Sequence, residues 1–286
     1  HYLEKLIPGE SVTQSIDRLC FSKDGFLRNE FSEVFASLFN HHENHSTLIR
    51  SLAKVRKGLT RNEIMQKSKI SSGGTLTKTL QELEESGFIE KYTSYLGKKD
   101  SVYRLSDEYS LFYIKFIEDS KPSSSGVWSK LYNQPPFKIW AGFSFETICI
   151  KHIDQIKEGL KIAGINAIHG SWLEKNTQNS AQIDLLIDRA DNVINICEMK
   201  FYNAPFTLDQ KYGLEITNKK NAFTNSTGTK KNVYITFITT YGLVNNKYKN
   251  HNSNPFLNNV FVTQNQTKLT KNSTIKTHTY NNTNKI

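Results

Sequence analysis

The sequence predicts a chain that is α+β in its first part and α/β in its second: an all-helical start, a three-helix unit closed by a strand hairpin, then a unit of order α-β-β-β-α-β. Three observations carry this. Apolar residues keep a helical spacing through most of the first 158 residues. A capping-box pair and helix-closing glycines cut residues 46–106 into short pieces. After Gly164 the helical period gives way to alternating and β-branched runs.

Residues 1–45 read as short helices, with Leu27, Phe31, Val34, Phe35 and Leu38 on one face and no evident core of their own. A helix over 46–57 follows, carrying Leu48, Ile49, Leu52 and Val55, and Gly58 ends it. Thr60 with Glu63 three residues later predicts a capped second helix that stops near Lys69. Ile70-Ser71-Ser72-Gly73-Gly74 makes a turn into a third helix over 75–86, with Leu76, Leu80 and Leu83, which Gly87 closes. Residues 88–92 and 101–105 read as two strands around the polar tip Gly97-Lys98-Lys99-Asp100. Three helices and a hairpin in this order are those of a winged helix-turn-helix over 46–106.

Residues 107–136 read as a helical connector. Its aromatic stripe, Tyr109, Phe112, Tyr113, Phe116 and Ile117, has core spacing, and Lys121-Pro122-Ser123-Ser124-Ser125-Gly126 reads as a linker. The last unit, 137–264, begins with one long helix to about 158. Strands follow at 167–173, 181–188 and 193–200, with Arg189-Ala190-Asp191-Asn192 as the turn between the last two. A helix over 207–223 leads to the β-branched strand Val233–Ile238, and Val260-Phe261-Val262 is a brief apolar return. Residues 265–286 are Asn/Thr/Lys-rich and read as a disordered tail.

The 286 residues are enough for two domains, each with its own core. No apolar run reaches the ~20 residues of a membrane span. His1-Tyr2-Leu3-Glu4 has neither the basic start nor the apolar core of a secretion signal, and three scattered cysteines make no C-x-x-C pair. The expectation is a cytoplasmic protein with reduced thiols and no membrane partner. From Phe201 onward there are 11 Lys against Asp209 and Glu215, whereas the first 200 residues nearly balance. Such a basic C-terminal part fits either a polyanion partner or a solubilising surface.

The chemistry concentrates in the hairpin 181–200. Strand alternation puts Ile183, Leu185 and Ile187 on one face and Asp184, Leu186 and Asp188 on the other. Glu198 and Lys200 share a face, and a tight turn brings Asp184 opposite Glu198. Two carboxylates in an apolar setting suit a hard divalent cation such as Mg²⁺ or Mn²⁺, and a nearby Lys can orient an attacking water. Glu146, on the preceding helix, is either a fourth member of the site or a solvent-facing carboxylate. Asp188 and Asp191 read as turn residues.

The order α-β-β-β-α-β with Ile183-Asp184 and Glu198-Met199-Lys200 resembles the PD-(D/E)XK nuclease superfamily. More closely, the chain resembles the C-terminal half of bacterial and archaeal AAA-type ATP-binding proteins, in which a winged helix and a nuclease-like domain follow the ATPase module. The resemblance rests on Gly87-Phe88-Ile89, Tyr103–Asp107, Gly142–Glu146, Gln182–Arg189, Cys197–Lys200 and Ile238–Gly242, and residues 1–40 are similar to the end of an ATPase lid. It implies a restriction-endonuclease-like fold, a Mg or Mn site at Asp184, Glu198 and Glu146, and Lys200 as the catalytic lysine. It also implies a deoxyribonuclease activity and an ATPase module or partner. Lys211, before Tyr212, falls where the family often has a Lys-Tyr pair, and the resemblance makes it a further candidate nucleic-acid contact. No G-x-x-x-x-G-K-[ST] loop occurs, so no ATPase activity is expected of this chain.

Lys78 on the third helix and Lys98 and Lys99 at the wing tip could reach DNA phosphates, although Glu82, Glu84 and Glu85 make the end of that helix acidic. Other readings remain open: a non-catalytic nucleic-acid-binding or regulatory module on a degenerate nuclease fold, or a defence component working with an ATPase.

Overall fold

The computed structural model describes residues 2–55, 58–70, 73–92, 95, 101–122, 126–132, 134–174 and 181–246, together with the backbone of 260–263. The described residues form a mixed α/β chain with two sheets.

Residues 2–45 contain short helices, as expected: a 3-10 turn over Tyr2–Lys5, α1 (Val12–Ile16), which runs on as a π-helical turn over Asp17–Phe21, and α2 (Glu30–Leu38). They do not stand apart from the rest. Phe31, Phe35 and Phe39 are buried with the apolar residues of α3 (Glu43–Ala53), α4 (Arg61–Ser68) and α5 (Gly74–Glu85). Leu19, Cys20 and Phe21 pack instead with Phe116, Ile117, Trp128, Phe137 and Ala141. The stretch read as a connector, containing α6 (Glu108–Phe112), a π-helical turn over Tyr113–Ile117 and α7 (Val127–Leu131), therefore shares an aromatic core with the N-terminal helices. The backbone N–H of Trp128 donates to Asp17 Oδ1 at 2.7 Å and fixes that pairing. Residues 123–125 of the expected linker lie outside the described residues.

The second helix of the three-helix unit starts as its sequence dictates. The Thr60 side chain accepts from the Glu63 backbone, and the Glu63 carboxylate accepts from the Thr60 backbone. Lys69 ends it in the left-handed region, φ 57°. A two-residue strand, β1 (Leu59–Thr60), adds to the hairpin of β2 (Ile89–Tyr92) and β3 (Val102–Leu105) in the order β1-β3-β2. Gly58 permits this third strand. It sits at φ +76°, and a Cβ there would stand 2.5 Å from the Tyr103 carbonyl oxygen.

The expected single helix before the large sheet is two helices. α8 (Pro135–Lys151) and α9 (Ile153–Gly159) break at His152, where φ is −106° and ψ 34°. No proline or glycine marks that break in the sequence. β4 (Ala167–Glu174), β5 (Ala181–Arg189) and β6 (Val193–Lys200) then form an antiparallel meander. α10 (Gln210–Thr227) crosses over to β7 (Asn232–Thr239), which lies parallel to β6, and β8 (Val260–Thr263) adds in parallel to β7. Residues 265–286, read as a tail, lie outside the described residues.

Each face of this sheet is covered. On one side Cys149, Ile150, Ile153 and Ile156 of α8 and α9 meet Leu185, Ile187, Cys197, Met199 and Ile238. On the other, Ile216 and Phe223 of α10 meet Ile183, Leu186, Ile194, Ile196, Ile235 and Phe237. β6 is consequently buried on both faces along most of its length, as its run of apolar residues requires.

Candidate functional site

Glu198 lies near the end of β6, only 6% exposed. Cys197 and Met199 belong to the α8 side of the sheet, so alternation turns Glu198 and Lys200 toward α10. Glu198 and Lys200 therefore share one face, as strand alternation expects. There Glu198 meets two residues of the helix. Tyr212 Oη donates to Glu198 Oε2 at 2.9 Å, and Lys219 Nζ donates to Oε1. Lys200 Nζ lies 3.8 Å from Oε2 and 5.1 Å from the centre of the Tyr212 ring. α10 begins where it can do this because Asp209 caps it, accepting the Tyr212 backbone N–H at 2.8 Å. Burial and the neighbouring Glu198 carboxylate push the Tyr212 phenol far above the usual tyrosine range, so it remains a hydrogen-bond donor.

Asp184 is elsewhere, and the reason is a register shift. β5 and β6 pair Leu185 with Cys197 and Leu186 with Ile196, and one further step would set Asp184 opposite Glu198. The described ladder stops before that step. On the other edge, β4 pairs Gly170 with Leu186 but Trp172 with Ile183, which leaves Ser171 opposite both Asp184 and Leu185. This β-bulge changes the phase of the strand. Ile183 falls in the α10-side core with Leu186, two positions of opposite parity, and Asp184 turns with Leu185 toward α8. The alternation expected over 183–188 therefore holds only from Leu185 onward.

On the α8 side Asp184 accepts from Gln182 Nε2 at 2.6 Å. It lines a cavity of about 60 Å³ together with Glu146, Thr147 and Ile150 of α8 and with Tyr92 and Arg104 of the hairpin. The Arg104 guanidinium sits 4.7 Å from the Tyr92 ring centre. Such a space takes a few waters or a small ion. Of the four residues read as one catalytic and metal-binding group, the structure brings together Glu146 with Asp184 and Glu198 with Lys200, and the sheet separates the two pairs.

This donor set does not fit one divalent ion. Glu198 already has an ammonium on one oxygen and a phenol on the other, and Asp184 faces away from it. Among the described residues no three His, Cys, Asp or Glu side chains stand close enough to share a metal.

The remaining candidates separate in the same way. Lys78 is well exposed, at 76%, but its ammonium lies 3.7 Å from Glu82, so part of its charge is met on its own helix. Lys98 and Lys99 lie outside the described residues. Lys211 is exposed in the first turn of α10. Asp188 and Asp191, read as turn residues, differ from each other. Asp191 occupies the turn and pairs with Arg189, whereas Asp188 is in β5 and takes Lys231 Nζ at 2.5 Å and Tyr95 Oη at 2.8 Å. Sequence reasoning missed Tyr212 and Lys219 as partners of Glu198. Their spacing of seven, two helical turns, was the available signal that both point at the sheet. No protein-family model matches the chain, and a search of curated proteins returns no match either.

Proposed function

We propose that this chain is a non-catalytic nucleic-acid-binding or regulatory module: a winged helix joined to a PD-(D/E)XK-type sheet whose acidic site is divided. One observation carries this reading, the closure of Glu198 by Lys219 and Tyr212 on the α10 face while the bulge turns Asp184 toward α8. A buried carboxylate with a resident ammonium already has its counter-charge, and a divalent ion would have to displace that ammonium. The order α8-α9-β4-β5-β6-α10-β7 supports the fold assignment, and the order α3-α4-α5-β2-β3 supports the winged helix. The basic C-terminal part, with 11 Lys after residue 200, supports an anionic partner. DNA is the first candidate, and an ATPase module is a second partner to test in the cytoplasmic setting inferred from the thiols.

The test is a gel shift on DNA across salt concentrations, beside a plasmid cleavage assay with Mg²⁺ or Mn²⁺. Binding that weakens steeply with salt, without cleavage, is the expected result. A second reading, a Mg²⁺- or Mn²⁺-dependent deoxyribonuclease, is favoured by the meeting of Asp184 and Glu146 in one cavity and by Lys200 beside Glu198. Cleavage by the wild-type chain that Lys200→Ala abolishes would establish that reading and overturn the first.

A further inference from the structure

The parallel strands β6 and β7 end at the same edge of the sheet, next to the first turn of α10. Crevices outside the carboxyl ends of parallel strands are the usual ligand sites of α/β sheets. Two tyrosines stand exposed here, Tyr202 at 51% and Tyr241 at 56%. They are not on loose loops. The Tyr202 backbone N–H donates to Thr240 Oγ1 at 3.1 Å, and that hydroxyl donates back to the Tyr202 carbonyl. Phe206 N–H donates to the Gly242 carbonyl at 2.8 Å, and Val244 N–H to the Phe206 carbonyl at 2.9 Å. The loops after β6 and β7 are thus tied to each other at Tyr202 and at Phe206. Phe206 is buried beneath them, and the Tyr202 ring lies 5.1 Å from it.

Two lysines stand at this edge, and the one at the end of β6 lies 3.8 Å from the buried Glu198. Lys200 is 31% exposed at the end of β6, and Lys211 is exposed in the first turn of α10. The acidic residues nearby on this helix are Asp209, which is turned into the helix cap, and Glu215, one turn further on. Exposed aromatic rings on a fixed backbone, next to lysines, are what a sequence-tolerant single-strand binder requires: the rings stack bases and the ammonium groups track the phosphates.

We propose that Tyr202 and Tyr241, with Lys200 and Lys211, form a stacking surface for single-stranded nucleic acid. This deepens the nucleic-acid reading above and rests on it. An α-helix or strand could enter the major groove of a duplex, but paired bases offer no open ring face to these tyrosines.

The experiment is fluorescence anisotropy with a labelled oligothymidylate and with a duplex of equal length. The single strand binds more tightly than the duplex. Tyr202→Ala and Tyr241→Ala each weaken single-strand binding about tenfold, whereas Tyr202→Phe and Tyr241→Phe, which keep the ring, leave it near wild type. Lys211→Ala flattens the salt dependence by about 0.7 in log-log slope. The Tyr241→Ala melt matches wild type because its side chain is exposed, and Tyr202→Ala, which also removes a packing contact with Phe206, is read beside Tyr202→Phe. Binding that ignores both alanine variants, or that favours the duplex, overturns the stacking surface alone. Binding to no nucleic acid under any salt condition overturns it together with the reading it rests on.

Discussion

Replacing Lys219 with methionine tests whether its ammonium is the counter-charge of Glu198. The Glu198 side chain is 7% exposed and that of Lys219 23%. Lys219→Met keeps most of the stem and removes the charge, leaving a buried carboxylate with the Tyr212 hydroxyl and with Lys200 at 3.8 Å. Stranding a fully buried partner costs about 3–5 kcal/mol. Lys200 and the partial exposure of Lys219 reduce that, and a loss of about 2–3 kcal/mol follows. Glu198→Gln keeps an acceptor for Tyr212 and leaves Lys219 able to turn to water, so it costs less, about 1 kcal/mol. The double variant has no stranded charge and is more stable than Lys219→Met alone. Urea unfolding read by tryptophan fluorescence follows this, with Trp172 in the same core, 5.3 Å from Phe223 of the helix that carries Lys219, and Trp128 and Trp140 reporting on the N-terminal aromatic core. A Lys219→Met midpoint equal to wild type, or a double variant no better than the single, would refute the pairing.

Three further outcomes are expected. Gly58→Ala combines a left-handed backbone with a Cβ 2.5 Å from the Tyr103 carbonyl, so it separates β1 from β3 and lowers the melting temperature, whereas Gly142→Ala, with open space around its Cβ, does not. The Tyr95 phenol is pushed up from 10.0 to about 12 by burial and by its hydrogen bond to Asp188. A raised pKa in the folded state contributes stability that is complete below pH 10 and is lost as pH rises toward 12, because the unfolded chain ionises first. Alkaline denaturation of Tyr95→Phe falls less steeply over that range. Asp184→Asn retains an acceptor for Gln182 and faces away from Lys200, so anisotropy gives it wild-type affinity for single-stranded nucleic acid.

The local signals in the sequence translate directly into structure where one residue's chemistry decides the outcome. The Thr60–Glu63 capping box, the left-handed stop at Lys69 and the turn at Asn192, φ 65°, are of this kind. Legibility ended where a contact depends on distant chain. β1 has only two residues and exists because Gly58 lets the backbone come against β3, more than forty positions away. The N-terminal helices have no core when read alone because Leu19, Cys20 and Phe21 need Trp128 and Phe137 to complete theirs. A hydrophobic pattern identifies the buried face but not its partner.

The candidate site divides along the same line. Glu198 and Lys200 are two residues apart on one unbroken strand, and a period of two was sufficient to put them together. Asp184 required the period to hold across a strand whose partner on the other edge is one residue short, and a bulge inverts every assignment beyond it. Ile183 records the inversion: it is fully buried against α10, although simple alternation from Leu185 would turn it to α8. The helix carries two separate signals. Lys211 and Tyr212 are adjacent in sequence, but residues one apart on a helix point about 100° from each other, so Lys211 stays exposed while Tyr212 and Lys219 reach Glu198. A lysine two turns along a helix behind a buried glutamate is therefore the feature that distinguishes a closed carboxylate from an open metal ligand. Lys219→Met combined with Mn²⁺ titration separates the two roles. If Glu198 is closed only by Lys219, the variant regains stability on adding Mn²⁺. If the bulge at Asp184 also matters, no Mn²⁺-dependent recovery occurs, and the arrangement of the sheet predicts the second result.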